Sequence, residues 1–229
     1  MKGEQAMPAG RAITDGAPLR VTSTTDALVA ELRGRILGGT LRPGEPLPEI
    51  ALANSFGVAR PTVRSALQEL VNRNLLHRPA GKSAMVPVLT VDDVHDLYFV
   101  RAPLEFQAVT AIASNGLDTP AARRALAAME ALPADASWAD RVQAHTAFHI
   151  ALVDAAESPR LSRLYPPLQE EMQLCLAQLH SSYPEPGDLA REHRILLDAV
   201  TSGEVDTAKK TMHEHLTHAV RQFTSQSQD

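Results

Sequence analysis

The chain has 229 residues, enough for one large domain or two modest ones. It is 44% hydrophobic, 21% charged and only 4% aromatic, with a formal charge of −5, a globular composition that favours packed helices over a β-sandwich. No run of about 18 apolar residues offers a membrane span, the N-terminus lacks the apolar core of a secretory signal, and the single cysteine, Cys175, excludes an intrachain disulfide and Cys-rich zinc modules, so the chain is expected to be cytoplasmic.

The charge is unevenly spread. Residues 1–90 hold 11 Lys/Arg against 7 Asp/Glu, whereas residues 91–229 hold 11 against 20. A basic front half points to a polyanion partner for that half alone, although an excess of this size also fits a solvated surface.

Residues 1–22, rich in Gly, Ala, Pro and Thr without apolar periodicity, are expected to be a flexible tail. Thr24 or Thr25 can cap a first helix through Leu37, with Leu28, Leu32, Ile36 and Leu37 on one stripe and Gly38-Gly39 ending it. Leu41-Arg42-Pro43-Gly44-Glu45 reads as a turn. Pro48 can open a short second helix broken at Gly57, and a third runs from about Ala59 to Asn74, with Val63, Leu67, Leu70 and Val71 at helical spacing. Leu75–His77 and Met85–Val88 read as two short strands around a basic hairpin tip, Arg78-Pro79-Ala80-Gly81-Lys82-Ser83. Three helices and a basic hairpin over residues 23–90 make a winged helix-turn-helix. From Val91 to 229 the pattern is helical, with segments expected near 91–101, 103–115, 119–131, 135–157, 159–182, 188–202 and 204–224, punctuated by Pro103, Pro120, Pro133 and Pro184, and kinked at Pro166-Pro167. The expected architecture is therefore mainly α: a winged helix followed by a bundle of six or seven helices.

A recognition helix presents short or cationic side chains at the end that enters the major groove. Arg60 and Arg64 stand one turn apart on such an end, Thr62 lies between them, Gly81 permits close backbone approach in the wing, and Lys82 offers a phosphate contact. An isolated stretch of this kind more often marks a surface helix with solvated arginines and an ordinary hairpin. The ordered run is more specific: Leu32-Arg33, Ile36-Leu37-Gly38-Gly39, Leu41 to Leu47, Leu52-Ala53, Phe56 to Arg64, Ala66-Leu67, Leu70, Asn74-Leu75-Leu76 and the wing glycine together resemble the GntR family of transcription regulators. The resemblance implies an operator in double-stranded DNA, a homodimer matched to two half-sites, and contacts from Arg60, Thr62, Arg64, Gly81 and Lys82. Two positions depart from the family pattern. Ala59 stands where a Ser or Thr is usual, and Ser65 where a Glu is frequent.

The helical half is notable for histidine. The chain has nine, and His145 and His149 lie at i, i+4, with His193 and His215 on later helices, so that three helices could converge on one cation. Surface or core packing accounts for such a pair more often than a metal does. Residues 92–222 resemble the all-α effector domain called FCD, found in the FadR-type branch of the family, through Leu97-Tyr98, Arg101, Leu104-Glu105, Phe148-His149, Leu152, Ala155 to Pro159, Glu192-His193-Arg194, Leu197 to Val200 and Met212 to Leu216. The resemblance implies a divalent metal, zinc first and nickel or iron as alternatives, on His149, His193 and His215. It places His145 where many such domains have a ligating Asp. Arg101 is implied as a pocket residue for a small organic acid, with an ion pair to Glu105 as the plain alternative. These features together describe a repressor controlled by a carboxylate metabolite. A metal-free effector domain binding a larger ligand, or serving only to dimerise, is a second reading. An enzyme is not expected, because a hydrolase needs a general base beside the metal and would leave the DNA-reading half without a role.

Overall fold

The computed structural model describes residues 23–178 and 187–226, with side chains through 221. The expected tail at 1–22, the turn around Pro184 and the last residues of the 159–182 segment lie outside the described residues.

The first helix, α1 (Thr24–Leu37), is capped by Ser23 rather than by a threonine: the Ser23 side chain accepts from the Asp26 N–H while Asp26 accepts from the Ser23 N–H, so two otherwise orphaned donors are satisfied. A short strand, β1 (Pro46–Leu47), follows, then α2 (Glu49–Phe56) and α3 (Arg60–Asn72). Gly57 closes α2 in the left-handed conformation at φ 64°, which turns the chain sharply into α3. The second strand, β2 (Ala84–Met85), pairs antiparallel with β1, Pro46 opposite Met85 and Leu47 opposite Ala84. The expected strand at 75–77 is reduced to one bridge, His77 with Met85, and the segment before it turns at Asn74 with φ 57°. The turn at Leu41–Glu45 instead delivers Pro46–Leu47 as the main partner of the wing, because the Gly44 N–H bonds the Val86 carbonyl and fixes that register. Leu28, Leu32, Ile36, Val63, Leu67, Leu70, Leu75 and Val86 form the core of this half.

The second half contains α4 (Val91–Asn115), α5 (Pro120–Glu130), α6 (Trp138–Asp154), α7 (Pro159–Gln178), α8 (Asp188–Thr201) and α9 (Val205–Gln226). The break expected at Pro103 does not occur. Residues 91–101 and 103–115 are one 25-residue helix with Pro103 inside it. A proline there removes the bond to the carbonyl of Phe99; Pro103 is exposed and Phe99 is 76% exposed, so that carbonyl lies on the wet side, while Tyr98, Arg101, Glu105 and Ala108 are buried on either side of the proline and hold the helix continuous. Pro166 and Pro167 lie inside α7, as expected of that segment. The bundle core runs from Val94 and Tyr98 on α4 through Phe148, Leu152, Met172, Leu196 and Val200 to Met212 on α9. Among the described residues no helix is long and apolar enough to cross a membrane.

Helix α7 packs against both halves. Leu174, 2% exposed, belongs to the core of the first half, while Met172 and Cys175 belong to that of the bundle. Glu170 lies 3.4 Å from both Arg33 of α1 and Arg73, the residue that caps the end of α3, Asn74 donates to Glu171 at 2.8 Å, and the Gln178 amide donates to the Pro87 carbonyl and accepts from the Leu89 N–H.

Candidate DNA-reading face and buried histidine centre

The N-terminal end of α3 is bare. Ala59 at the cap position makes no side-chain hydrogen bond, and no acid stands in the first turn, so the positive end of the helix dipole is left for an outside anion. Arg60 is exposed there, and with Arg78, Gly81 and Lys82 it lines a cleft of about 330 Å3 between α2, α3 and the wing. Gly81 adopts φ 72°, a left-handed turn with nothing within 4 Å of where a Cβ would stand. Thr62 is half-buried and Arg64 exposed on the same helix. Thus Arg60, Gly81 and Lys82 line one cleft and Arg64 is tied to its Glu49 wall, whereas Thr62 lies about 200° round α3 from Arg60. The sequence reading missed two others. Glu49, the first residue of α2, accepts from Arg64 at 3.1 Å and lies 3.6 Å from Arg78, and the Arg64 hydrogen bond holds its carboxyl below the ordinary value. Periodicity carried no signal for that pairing, which depends on the angle between α2 and α3.

The second site is a knot of imidazoles where α6, α8 and α9 meet. His145, His149 and His193 are buried and His215 nearly so, and one ligand atom from each lies within 4.8 Å of the others. His149 Nε2 is 3.0 Å from His193 Nε2 and 3.3 Å from His215 Nε2. His193 Nδ1 donates to the Leu189 carbonyl at 2.7 Å, so in the neutral ring its Nε2 carries a lone pair. Burial depresses the basicity of all four rings, reinforced at His145 by His149 and at His149 by Arg101; His193 is pushed down to about 4. These are neutral imidazoles at ordinary pH, the form that binds metals. His145 is turned inward, its ring centroid 4.5 Å from that of His149, and its Nδ1 has no hydrogen-bond partner.

Beneath the imidazoles lies a buried ion pair. Arg101, 1% exposed, donates through Nε to Glu105, and its Nη2 is 3.2 Å from His149 Nδ1. Burial alone would push Arg101 toward neutrality, but the adjacent Glu105 carboxylate overrides it and holds the guanidinium charged. Of the two sequence expectations for Arg101, the ion pair with Glu105 is present, and the same side chain stands against His149. Tyr165 and Gln169 of α7 complete the network, Tyr165 donating to Glu105 and Gln169 to Tyr165. Neither was legible in the sequence, since an isolated Tyr or Gln on a helix marks nothing until its neighbours are known.

The comparisons with known proteins assign a family to each half of the chain. The GntR family of bacterial regulatory proteins matches residues 24–86, and the FCD domain matches residues 96–218, more than half the chain. A probable D-xylose utilization operon transcriptional repressor of Paenarthrobacter nicotinovorans is 30% identical over 211 residues, covering 88% of this chain and 90% of that protein. The uncharacterized HTH-type regulator YdhC of Bacillus subtilis is 26% identical, covering 82% and 85%. Among solved structures, a putative GntR regulator from Rhodococcus sp. RHA1 superposes with a TM-score of 0.78 at 26% identity, covering 88% of this chain and 97% of that one. The chain belongs to the GntR family of bacterial regulatory proteins with an FCD domain, and it is a DNA-binding transcription regulator, not an enzyme.

Proposed function

We propose that the protein is a cytoplasmic, homodimeric repressor in which residues 23–90 read a palindromic operator and residues 91–229 bind a divalent metal and a small organic acid. Arg60, Thr62 and Arg64 are the base and phosphate contacts of the recognition helix, and Gly81 and Lys82 those of the wing. His145, His149, His193 and His215 hold the metal.

One observation carries the metal reading: the Nε2 atoms of His149 and His193 face each other at 3.0 Å, and the lone pair of the second is fixed by its bond to Leu189. With the His149 proton on Nδ1, its Nε2 presents a second lone pair to that of His193, and two facing lone pairs in a dry core repel unless a cation lies between them. A nitrogen-only donor set suits zinc, with nickel and iron as competitors. The set is neutral, so a metal held there keeps its full charge and supplies a Lewis-acid position for a carboxylate. The charge on Arg101 adds to the attraction for an anion, with Glu105 moderating it.

Control of DNA binding requires the effector to favour one placement of the reading halves over another. Metal analysis of purified protein, thermal melting with zinc or nickel, and electrophoretic shifts on the protein's own upstream region across a panel of organic acids test the proposal. The expected result is one metal per chain, lost in His149→Ala, and a salt-sensitive shift abolished by one acid. A metal-free protein indifferent to zinc and nickel refutes the metal reading, and absence of any sequence-specific shift refutes the operator reading.

A further inference from the structure

We infer that Glu105 is a positioning residue for the imidazole cluster: its carboxylate selects the tautomer of His149 and aims that ring at its three neighbours. This inference rests on the reading of the cluster as a metal centre and deepens it.

Glu105 is 0% exposed, and a buried carboxylate persists only when its oxygens are matched. Its Oε1 accepts from Arg101 Nε on its own helix and from the Tyr165 hydroxyl on α7, and the same hydroxyl accepts from Gln169. Donors from two helices therefore pin one oxygen. The other oxygen, Oε2, is fixed in consequence; it has no hydrogen-bond partner and lies 3.3 Å from His149 Nδ1.

A neutral imidazole carries one N–H and one lone pair. With the proton on Nδ1, His149 faces the carboxylate with a donor and turns the lone pair of Nε2 toward His193 and His215. With the proton on Nε2, a ring lone pair would face a carboxylate oxygen 3.3 Å away in a dry core. Arg101 does not reverse this choice, because its Nη2 is nearly equidistant from the two ring nitrogens, 3.2 and 3.3 Å. The Leu189 carbonyl does the same for His193. Two of the four rings are thus locked with Nε2 inward, whereas Nδ1 of His145 and of His215 has no hydrogen-bond partner. The four clustered ligand groups include no carboxylate, so Glu105 also brings a buried negative charge to balance a cation among neutral nitrogens.

The test uses full-length protein stripped of metal and titrated with cobalt(II), with zinc(II) in competition, in wild type, Glu105→Gln, Tyr165→Phe and His149→Ala. Glu105→Gln should weaken cobalt binding about 10- to 100-fold, Tyr165→Phe should weaken it less, and His149→Ala should abolish it. Nitrogen-15 spectra of the zinc-loaded protein should show the shift of the His149 Nδ1–H moving in Glu105→Gln while that of the His193 Nδ1–H stays, a change that a merely structural loss would not produce. Wild-type cobalt affinity in folded Glu105→Gln overturns the inference while leaving the metal centre intact. Failure of the wild type to bind cobalt or zinc refutes the metal centre itself. Should Glu105→Gln not fold, because Arg101 is left as an unpaired buried cation, the double variant Arg101→Gln with Glu105→Gln removes both charges; undiminished affinity there overturns the inference equally.

Discussion

Truncating Leu174 to alanine tests whether the DNA-reading half depends on a helix that belongs by sequence to the other half. Leu174 lies on α7, is 2% exposed, and packs in one cluster with Leu32 of α1 and with Leu67 and Leu70 of α3. The change removes three carbons, worth about 0.8 kcal/mol each in transfer from water, and leaves a cavity that the two flanking helices cannot fully close, so the loss should be about 3 kcal/mol. Its location matters as much as its size. Amide hydrogen exchange in α1 and α3 should accelerate about a hundredfold in Leu174→Ala if the opening of those helices includes their separation from α7. The fluorescence of Trp138, the single tryptophan, whose indole donates to the Leu176 carbonyl on α7, should report the same loss in urea unfolding. Unchanged protection of the α1 and α3 amides, with destabilisation confined to the bundle, would refute the reasoning and show that the first half completes its own core.

The metal-free protein should lose stability on acidification: the buried His193 is held at about 4 whereas an unfolded imidazole titrates near 6.5, so stability present above pH 6.5 is lost as the pH falls toward 4, by about 2 kcal/mol at pH 5 from this ring alone. Equal urea midpoints at pH 7.5 and pH 5 with chelator present would contradict it. Cys175, 1% exposed and with its thiol pushed up to about 12, should resist iodoacetamide at pH 8 in the native protein and react at once in denaturant; rapid native alkylation would count against its burial. Glu49→Ala should free Arg64 and Arg78 and remove a negative charge from the reading face, tightening low-salt binding to random-sequence duplex several-fold and lowering discrimination; an unchanged ratio of specific to non-specific binding would sink that account.

Sequence reading carried the fold well where local rules suffice. Glycines at 38–39 and 57, the apolar stripe on α3 and the histidine spacing on α6 were all visible, because each is a statement about one helix or one turn. It failed at Pro103, where tertiary burial on both sides of the proline outweighs an intrinsic cost of about 3 kcal/mol. It also failed at the wing, where the strand partner is set by the Gly44 to Val86 bond rather than by the apolar run before the hairpin. In the candidate site the four histidines were found from spacing and resemblance, but their supporting carboxylate, phenol and amide were not. Glu105, Tyr165 and Gln169 stand on two helices 60 or more residues apart in sequence at their closest bond, and only the packing of α4 against α7 brings them together.

The double allegiance of α7 limits how such regulators can be recombined. Tyr165 and Gln169 reach toward the histidines, while Glu170, Gln173 and Leu174, one to five residues further on, grip α1 and α3. A chimera joined at Thr90, carrying this reading head on a foreign sensor, would leave Arg33 and Arg73 facing unmatched side chains and Leu32 a vacant neighbour. A graft that transplants the matching face of α7 along with the head keeps the joint intact, so the natural seam for engineering follows a helix surface rather than a point in the chain.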